Sequence, residues 1–522
     1  MTGGITTYRA GSRGVDPALL MATLDGAGFR VETSERVSRT VLDTFDGRLA
    51  AAGLRLELTA PAGSSRRSVS GELVLRGGPG APARVLVAGI PRVADDIPAG
   101  PLRFRLARLL DVRVLMPLVT VIADRTTATR RTGAAKTTAM AVAYEGATVG
   151  EIDLDELLVE VHELIGYARP AEDLRDVLAE RGLREADTDV VEIAAAAAGV
   201  SLSGCTVAPG VALAADEPAL DGFRAVLANL RDAIVANWDG TVADVDPEFL
   251  HDLRVAVRRT RSVLSNAKNV IADDVRDRAR VDFGWFGEIT GPARDLDVYQ
   301  IEWATYTGPL APDAASALEP VRAHLETQRQ DEHVVLASEL AAARAKQIID
   351  DWSVWLDQPV DDDQPGERAD RPIGEFIAKR IRRAHRTMLD RGRTITPDTD
   401  AEVLHELRKD AKKLRYLLEC FGGLYEPAPR KAFVQRLKAL QDNLGEHQDA
   451  EVHAAHLREL SDTLASRSTV DTMLATGQLI ERMEQRRIAC RDEFAERFDA
   501  FDSARTADAL TALLASAHDG SS

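Results

Sequence analysis

The sequence predicts an α+β chain: an antiparallel sheet domain over residues 1–199, then an all-α domain over residues 218–516. Three observations lead there. Residues 1–199 set short, β-rich apolar runs between Gly/Pro/Ser turns, the pattern of half-buried strands. From Asp221 onward the apolar residues recur at helical spacing with few breaks. Within that helical part the chain repeats itself. HDLRVAVRRTRSVL at His251–Leu264 returns as HELRKDAKKLRYLL at His405–Leu418, and GPARDLDV from Gly291 returns as GEHQDAEV from Gly445, both at an offset of 154 residues. Two segments in one register indicate a duplicated unit of roughly 150 residues. The halves fall at about 218–356 and 373–516.

In the sheet domain, strands are expected at Leu54–Leu58, Glu72–Leu75, Arg84–Val87, Leu118–Ile122, Ala139–Tyr144 and Leu157–Leu164. Helices are expected at Pro17–Ala27, Leu102–Leu110 and Ala171–Arg181. The Ala194–Ala198 run reads as low-complexity filler, and residues 200–217, small and Pro-containing, as a linker. In the first half helices are expected at Gly222–Asn237, Pro247–Asn269, Val275–Thr290, Leu296–Thr305 and Ala315–Leu356. The second half offers Ile373–Arg391, Asp400–Phe421, Pro429–Asn443, Ala450–Ala465 and Met473–Phe501. Asp246 and Pro247 form an N-cap and first helical residue, and Asp400 can cap the counterpart helix. Gly422-Gly423 is a stop signal, and the acidic stretch Asp357–Pro372 reads as a solvated loop.

Composition narrows the function. The chain has 522 residues, 45% hydrophobic and 28% charged, as in globular proteins with proper cores. No run approaches the roughly 20 apolar residues of a membrane span, and the start lacks an apolar signal core. Cys205, Cys420 and Cys490 form no CxxC pair, so neither a disulfide framework nor a zinc site is expected. A cytoplasmic location follows. The net charge of −18 opposes generic coating of nucleic acid and would confine a polyanion to local basic surface.

That basic surface is legible in the repeat. At about 100° per residue, His251, Arg254, Arg258 and Arg261 fall within an arc of about 80°, opposite Leu253, Val257, Val263 and Leu264. His405, Arg408, Lys412 and Arg415 do the same against Leu407, Leu414, Leu417 and Leu418. Little acid is interleaved on either face, whereas a solvated helix more often mixes signs. The same cationic stripe twice points to a polyanion-binding surface. On Ile373–Arg391, Lys379, Arg382 and Arg386 oppose an apolar side toward which Arg380 points; a bound phosphate, or snorkelling to water, would relieve that charge.

At these residues the chain resembles CHAD domains. The two HxxR helices look like their signature helices, and ARDLDV and LKALQDNLGEHQDAEV like their second signature segments; the resemblance covers about residues 218–516. It implies two pseudo-symmetric four-helix halves that bind inorganic polyphosphate through basic side chains. By position the resemblance implies His251, Arg254, Arg258 and Arg261 in one half and His405, Arg408, Lys412 and Arg415 in the other; Arg294, Arg380, Arg383 and Lys438 complete the expected polyphosphate-binding set. His447 and Gln448 stand where the first copy has Ala293 and Arg294, so the halves need not contribute equally. Association with polyphosphate granules follows as an expectation.

TVLDTFDGRLAAAGLRLEL at Thr40–Leu58 and VEVHELIGY at Val159–Tyr167 resemble segments of CYTH domains, which implies an eight-stranded antiparallel tunnel binding triphosphate with a metal. The ExExK strand of that family is missing: the matching region reads ITTYRAG, and LRLEL puts Glu57 where a phosphate-binding base is expected. Arg125, Arg130 and Arg131 could supply charge, and Glu160 and Glu163 acid, although strand parity aims those two at different faces. Half a site remains, so a degenerate scaffold without catalytic residues, cofactor or metal is the expectation. A metal-dependent triphosphatase is the first rival function. Nucleic-acid binding is the second; it calls for stacking aromatics, of which Tyr416 is the nearest. His447, His453 and His456 have spacing that admits a metal, but surface histidines are the simpler expectation.

Overall fold

The computed structural model describes residues 2–10, 14–63, 70–78, 82–202, 211–358, 365–465 and 468–517. It divides into two compact units, residues 1–207 and 208–522. Cys205 lies outside the described residues; Cys420 and Cys490 are buried free thiols.

The first unit is an antiparallel sheet of β1 (Thr2–Ala10), β2 (Arg30–Val31), β3 (Glu35–Asp43), β4 (Leu54–Pro61), β5 (Ser70–Gly77), β6 (Ala83–Ala88), β7 (Met116–Arg131), β8 (Thr137–Val149), β9 (Ile152–Asp153), β10 (Leu158–Leu164) and β11 (Leu183–Glu185). Their order is β11-β1-β10-β8-β7-β3-β4-β5-β6, with β2 on β7 and β9 on β8. The framework is carried by eight longer strands, since β2, β9 and β11 span only two or three residues. Around the sheet lie α1 (Pro17–Gly26), α2 (Arg48–Ala51), α3 (Pro101–Leu110), α4 (Ala168–Glu180) and α5 (Val190–Ala197). Leu102, Leu106 and Leu110 of α3 pack on Leu56, Leu58 and Leu73. Leu20 and Leu24 of α1, with Leu174 and Leu178 of α4, close on Val159 and Val161. The alanine run is not filler: Ala194 and Ala195 are buried in α5 against the sheet, where only a small side chain permits such close approach.

The second unit is helical: α6 (Ala219–Val242), α7 (Pro247–Asn266), α8 (Asp273–Ile289), α9 (Gly291–Thr307), α10 (Pro312–Ala317), α11 (Glu319–Ala341), α12 (Ala343–Asp357), α13 (Ile373–Gly392), α14 (Ala401–Cys420), α15 (Pro427–Leu464), α16 (Val470–Phe501) and α17 (Ala504–Ala515). Each half has its four principal helical positions and then a shorter helix, α12 or α17. The two copies differ at one informative place. Where the first half breaks between α8 and α9, the second continues as a single 38-residue helix. Pro292 occupies the position that Glu446 takes 154 residues later. Proline cannot donate the helical hydrogen bond and is tolerated only in a first turn, so α9 must start afresh at Gly291. Glu446 keeps its N–H, and the expected boundary at Asn443–Ala450 disappears. The expected single helix Ala315–Leu356 is instead α10, α11 and α12, with Ala342 extended (ψ 151°) between the last two; nothing in its helix-favouring neighbours explains that break.

Candidate functional site

α7 and α14 are placed by their apolar faces. Leu253, Val257 and Leu264 share one core with Leu407, Leu414 and Leu418, so the cationic faces of both helices turn outward together. Asp246 fixes the start of α7 by accepting the Glu248 N–H at 2.8 Å. Asp400 stands at the N-cap of α14 but makes no side-chain cap bond.

Between these helices and α9, α11 and α15 lies a groove of about 930 Å³. Its walls include His251, Arg254 and Arg258 of α7, Arg294 of α9, and His405, Arg408 and Lys412 of α14. A second groove of about 730 Å³ is lined by Arg258 and Lys412 again, with Arg261, Arg280, Lys409, Lys413 and Tyr416. Arg258 and Lys412, repeat mates at the 154-residue offset, therefore join the two grooves. Arg280, Lys409 and Lys413 escaped the sequence reading because they lie off the repeated stripe. Arg280 comes from α8, which the stripe does not include.

These cations are only partly neutralised: Arg408 meets Asp449, Arg280 meets Asp277, Lys409 meets Glu406 and Lys413 meets Asp410. Among the described residues Arg258, Arg261 and Lys412 form no ion pair, and the Nε atoms of Arg258 and Arg408 are buried without a hydrogen-bond partner. A structural arginine normally acquires such partners. Arg254 donates to the Gly287 carbonyl (3.4 Å) and Thr290 Oγ1 (3.1 Å). Burial lowers its pKa, the neighbouring Arg258, Arg294 and Arg261 adding to the effect and Asp295 opposing it. Burial, then Arg408 and Arg258, bring Lys412 down to about 8. His405 Nδ1 lies 2.7 Å from Gln448 Oε1; with that nitrogen donating, Nε2 can donate too only in the protonated ring. Arg294 is half committed, donating to the Pro247 carbonyl at 3.1 Å and lying 3.5 Å from Glu248.

Tertiary structure also brings acid that the helix-by-helix reading did not show. Asp295, Asp331, Glu332 and Asp449 line the first groove, with His453 and His456. His453 Nδ1 lies 3.0 Å from the Tyr306 hydroxyl, and His456 Nδ1 3.1 Å from that of Tyr299. Among the described residues no cluster of three or more His, Cys, Asp or Glu is arranged for a metal.

Four residues of the sequence-derived set lie outside both grooves. Arg415 pairs with Glu419, which also holds Arg259 of α7 at 2.7 Å and so ties the halves together. Arg380 rests its guanidinium over the Phe376 ring, 4.9 Å from the centroid, which supplies a partner without a phosphate. Arg383 and Lys438 are exposed elsewhere on α13 and α15.

The sheet domain holds a second basic cluster of opposite character. Arg39, 4% exposed, meets Glu57 at 2.8 Å and Glu160 at 2.5 Å. Glu57 also takes Arg55 (2.7 Å) and Arg76 (3.1 Å), and the Tyr144 hydroxyl donates to Glu160 at 3.2 Å. Burial raises the Glu160 carboxyl, but Arg39 and His162 more than reverse this and hold it well below the carboxylate range. Glu57, in the place of an expected base, thus contacts three arginines, of which Arg39 also meets Glu160 and Arg55 also meets Asp189. Arg125 and Arg130 do not join them: they pair with Glu35 and Asp173 at the surface. Glu163 is likewise apart, paired with Arg175.

Residues 225–458 match the family model of the CHAD domain. Over 284 residues the chain is 25% identical to an uncharacterized protein of Mycobacterium tuberculosis, covering 51% of this chain and 50% of that one. The chain thus spans about half the length of the curated relatives it matches. The helical part is similar to the crystal structure of the CHAD domain from the plant Ricinus communis, with 28% identity, 56% of this chain and 96% of that one covered, and a TM-score of 0.47. The chain also matches a putative adenylyl cyclase from Hippeastrum with a dominant triphosphatase activity, at 12% identity, 38% and 96% coverage and a TM-score of 0.28.

Proposed function

We propose that this chain, which carries a CHAD domain at residues 225–458, binds inorganic polyphosphate along the two adjoining grooves. The observation that supports this most is the set Arg258, Arg261 and Lys412, without an ion pair among the described residues: Arg258 and Lys412 join the grooves, and Arg261 lines the second. Successive phosphates would take Arg254, Arg258, Arg261, Arg408 and Lys412 through charge-assisted hydrogen bonds, with His251 and His405 as added donors. Arg280, Lys409 and Lys413 extend the track. The sheet domain is a scaffold in this reading, because its arginines are already satisfied by carboxylates. Among the described residues no helix is long and apolar enough to cross a membrane, and association with polyphosphate granules is part of the proposal.

The deciding experiment is titration of the full chain with polyphosphate of defined length across ionic strength. With some six phosphates engaged, affinity should fall roughly a thousandfold or more between ~50 mM and ~200 mM salt. Binding that ignores salt, or an equal preference for RNA or DNA of the same charge, would overturn the reading.

A further inference from the structure

The first groove is less basic than its signature residues suggest. Five Lys and Arg side chains line it, against four carboxylates. Two of those carboxylates, Asp295 and Asp449, are repeat mates at the 154-residue offset. Each stands in the groove with one of the repeat-mate arginines, Arg254 and Arg408. The second groove holds six Lys and Arg with Asp277 alone.

Arg254 does not depend on its aspartate for orientation. Arg254 is held by the Gly287 carbonyl and Thr290 Oγ1, and among the described residues Asp295 makes no ion pair. Its carboxyl is raised, chiefly by desolvation, with Arg254 and His453 pulling the other way; the groove keeps this anion at a cost. Asp449 touches Arg408 through one contact of 3.3 Å and stays 61% exposed, against 21% for the arginine. A lone, solvated pair of this kind contributes little to stability. It does place negative charge where a ligand's oxygens must come.

We infer that Asp295 and Asp449 are built-in counter-anions that limit the affinity of the groove: an incoming polyanion must displace Asp449 from Arg408 and must approach Arg254 against the charge of Asp295. This rests on the polyphosphate reading above. Both halves contribute one such carboxylate, so the restraint acts on each side of the groove; in the second groove Arg280 is paired with Asp277, Lys409 with Glu406 and Lys413 with Asp410, and Arg261 has no ion pair among the described residues.

The test is equilibrium binding of defined-length polyphosphate to the full chain, its Asp295→Asn and Asp449→Asn variants and the double variant. Asparagine keeps size and shape, and melting temperatures should stay at the wild-type value. Each single variant should bind about two- to fivefold more tightly at low salt, with the double variant near the product of the two. That gain should shrink as salt rises, because it is a screened charge effect; loss of an orienting contact would instead weaken binding at every salt concentration. Unchanged or weaker binding by the variants, beside normal salt-dependent binding by the wild type, would overturn this inference alone. No binding by the wild type would overturn the function, and this inference with it.

Discussion

The molecule gathers arginines in two places and treats them in opposite ways. In the sheet domain Arg39, Arg55 and Arg76 converge on Glu57, and Arg39 also on Glu160, deep enough that the two glutamate side chains are 2% exposed. In the helical domain Arg258, Arg261 and Lys412 face grooves with no ion pair among the described residues. The number of cations is similar. What differs is whether carboxylates of the same fold reach them first. A buried guanidinium with two carboxylates is a structural element, expensive to assemble and more expensive to halve. An unpaired one at a groove retains its capacity for a ligand.

The sharpest way to break this comparison is to remove Arg39. Arg39→Ala strands Glu57 and Glu160 in the sheet interior, and should destabilise the sheet domain by about 3–5 kcal/mol, read as a lowered unfolding midpoint. Because Glu160 is held below the carboxylate range, this contribution is intact above the unfolded-chain value of ~4.3 and is lost as pH falls below it. Polyphosphate affinity should stay at the wild-type value. If the chain instead releases phosphate from tripolyphosphate with Mg²⁺ or Mn²⁺, and Glu160→Ala abolishes this, the cluster is an active site and the contrast fails.

The next effect belongs to the grooves. Arg254→Ala with Arg258→Ala, or Arg408→Ala with Lys412→Ala, should weaken polyphosphate binding at least about tenfold, since each charge-assisted bond carries ~1.5–3 kcal/mol. Helicity measured by circular dichroism should not change. Equal losses from the two pairs would show that the halves share the ligand. A loss from one pair only would confine binding to one half.

How much of this contrast could be read in advance depended on periodicity. The stripes of α7 and α14 were legible because four charged residues recur at helical spacing and then recur again at one offset. Eight residues of the expected set do reach the grooves. The acid that tempers them was not legible from any one helix: Asp331 and Glu332 arrive on α11, and Asp295 and Asp449 face Arg254 and Arg408 only after the helices pack. In the sheet domain β1 and β3 escaped recognition, because TGGITTYRA and ERVSRTVLD interleave Thr, Ser, Gly and Arg with few apolar residues. Arg39 lies on β3, so the residue at the centre of the buried cluster was missed with its strand. Glu57 drew notice as a departure from a resemblance, but only the sheet register, which pairs it with Val41, sets it diagonal to Arg39 on one face of β3 and β4.

A smaller effect is expected from pH. Lys412 at about 8 is partly neutral in mildly alkaline solution. A bound polyanion favours its charged form and so raises its pKa. Binding should therefore take up protons near pH 8, and affinity should fall, by at most about tenfold, as pH rises from roughly 7 to roughly 9. Lys412→Arg, whose charge persists across that range, should flatten the profile. His251→Gln with His405→Gln should weaken binding only modestly, by removing two ring donors. Superposed binding curves for wild type and histidine variant would make these rings structural.

The smallest effect should come from bases that share the sequence signature but not the groove. Arg383 and Lys438 are exposed outside both linings, and Arg380 is occupied by the Phe376 ring. Interactions between exposed charges beyond a Debye length, ~8 Å at physiological salt, are largely screened. Arg383→Ala and Lys438→Ala should therefore leave polyphosphate affinity within about twofold of wild type, inside the range of single surface charges. Arg380→Ala should be equally mild on binding, with any cost, of about 0.5–1 kcal/mol, appearing in stability through the lost ring contact. A tenfold loss from any of the three would mean that the ligand runs beyond the two grooves across α13 or α15. Pairing would still separate the sheet cluster from the helical one, but the boundary of the binding surface would have to be redrawn around bases that no groove encloses.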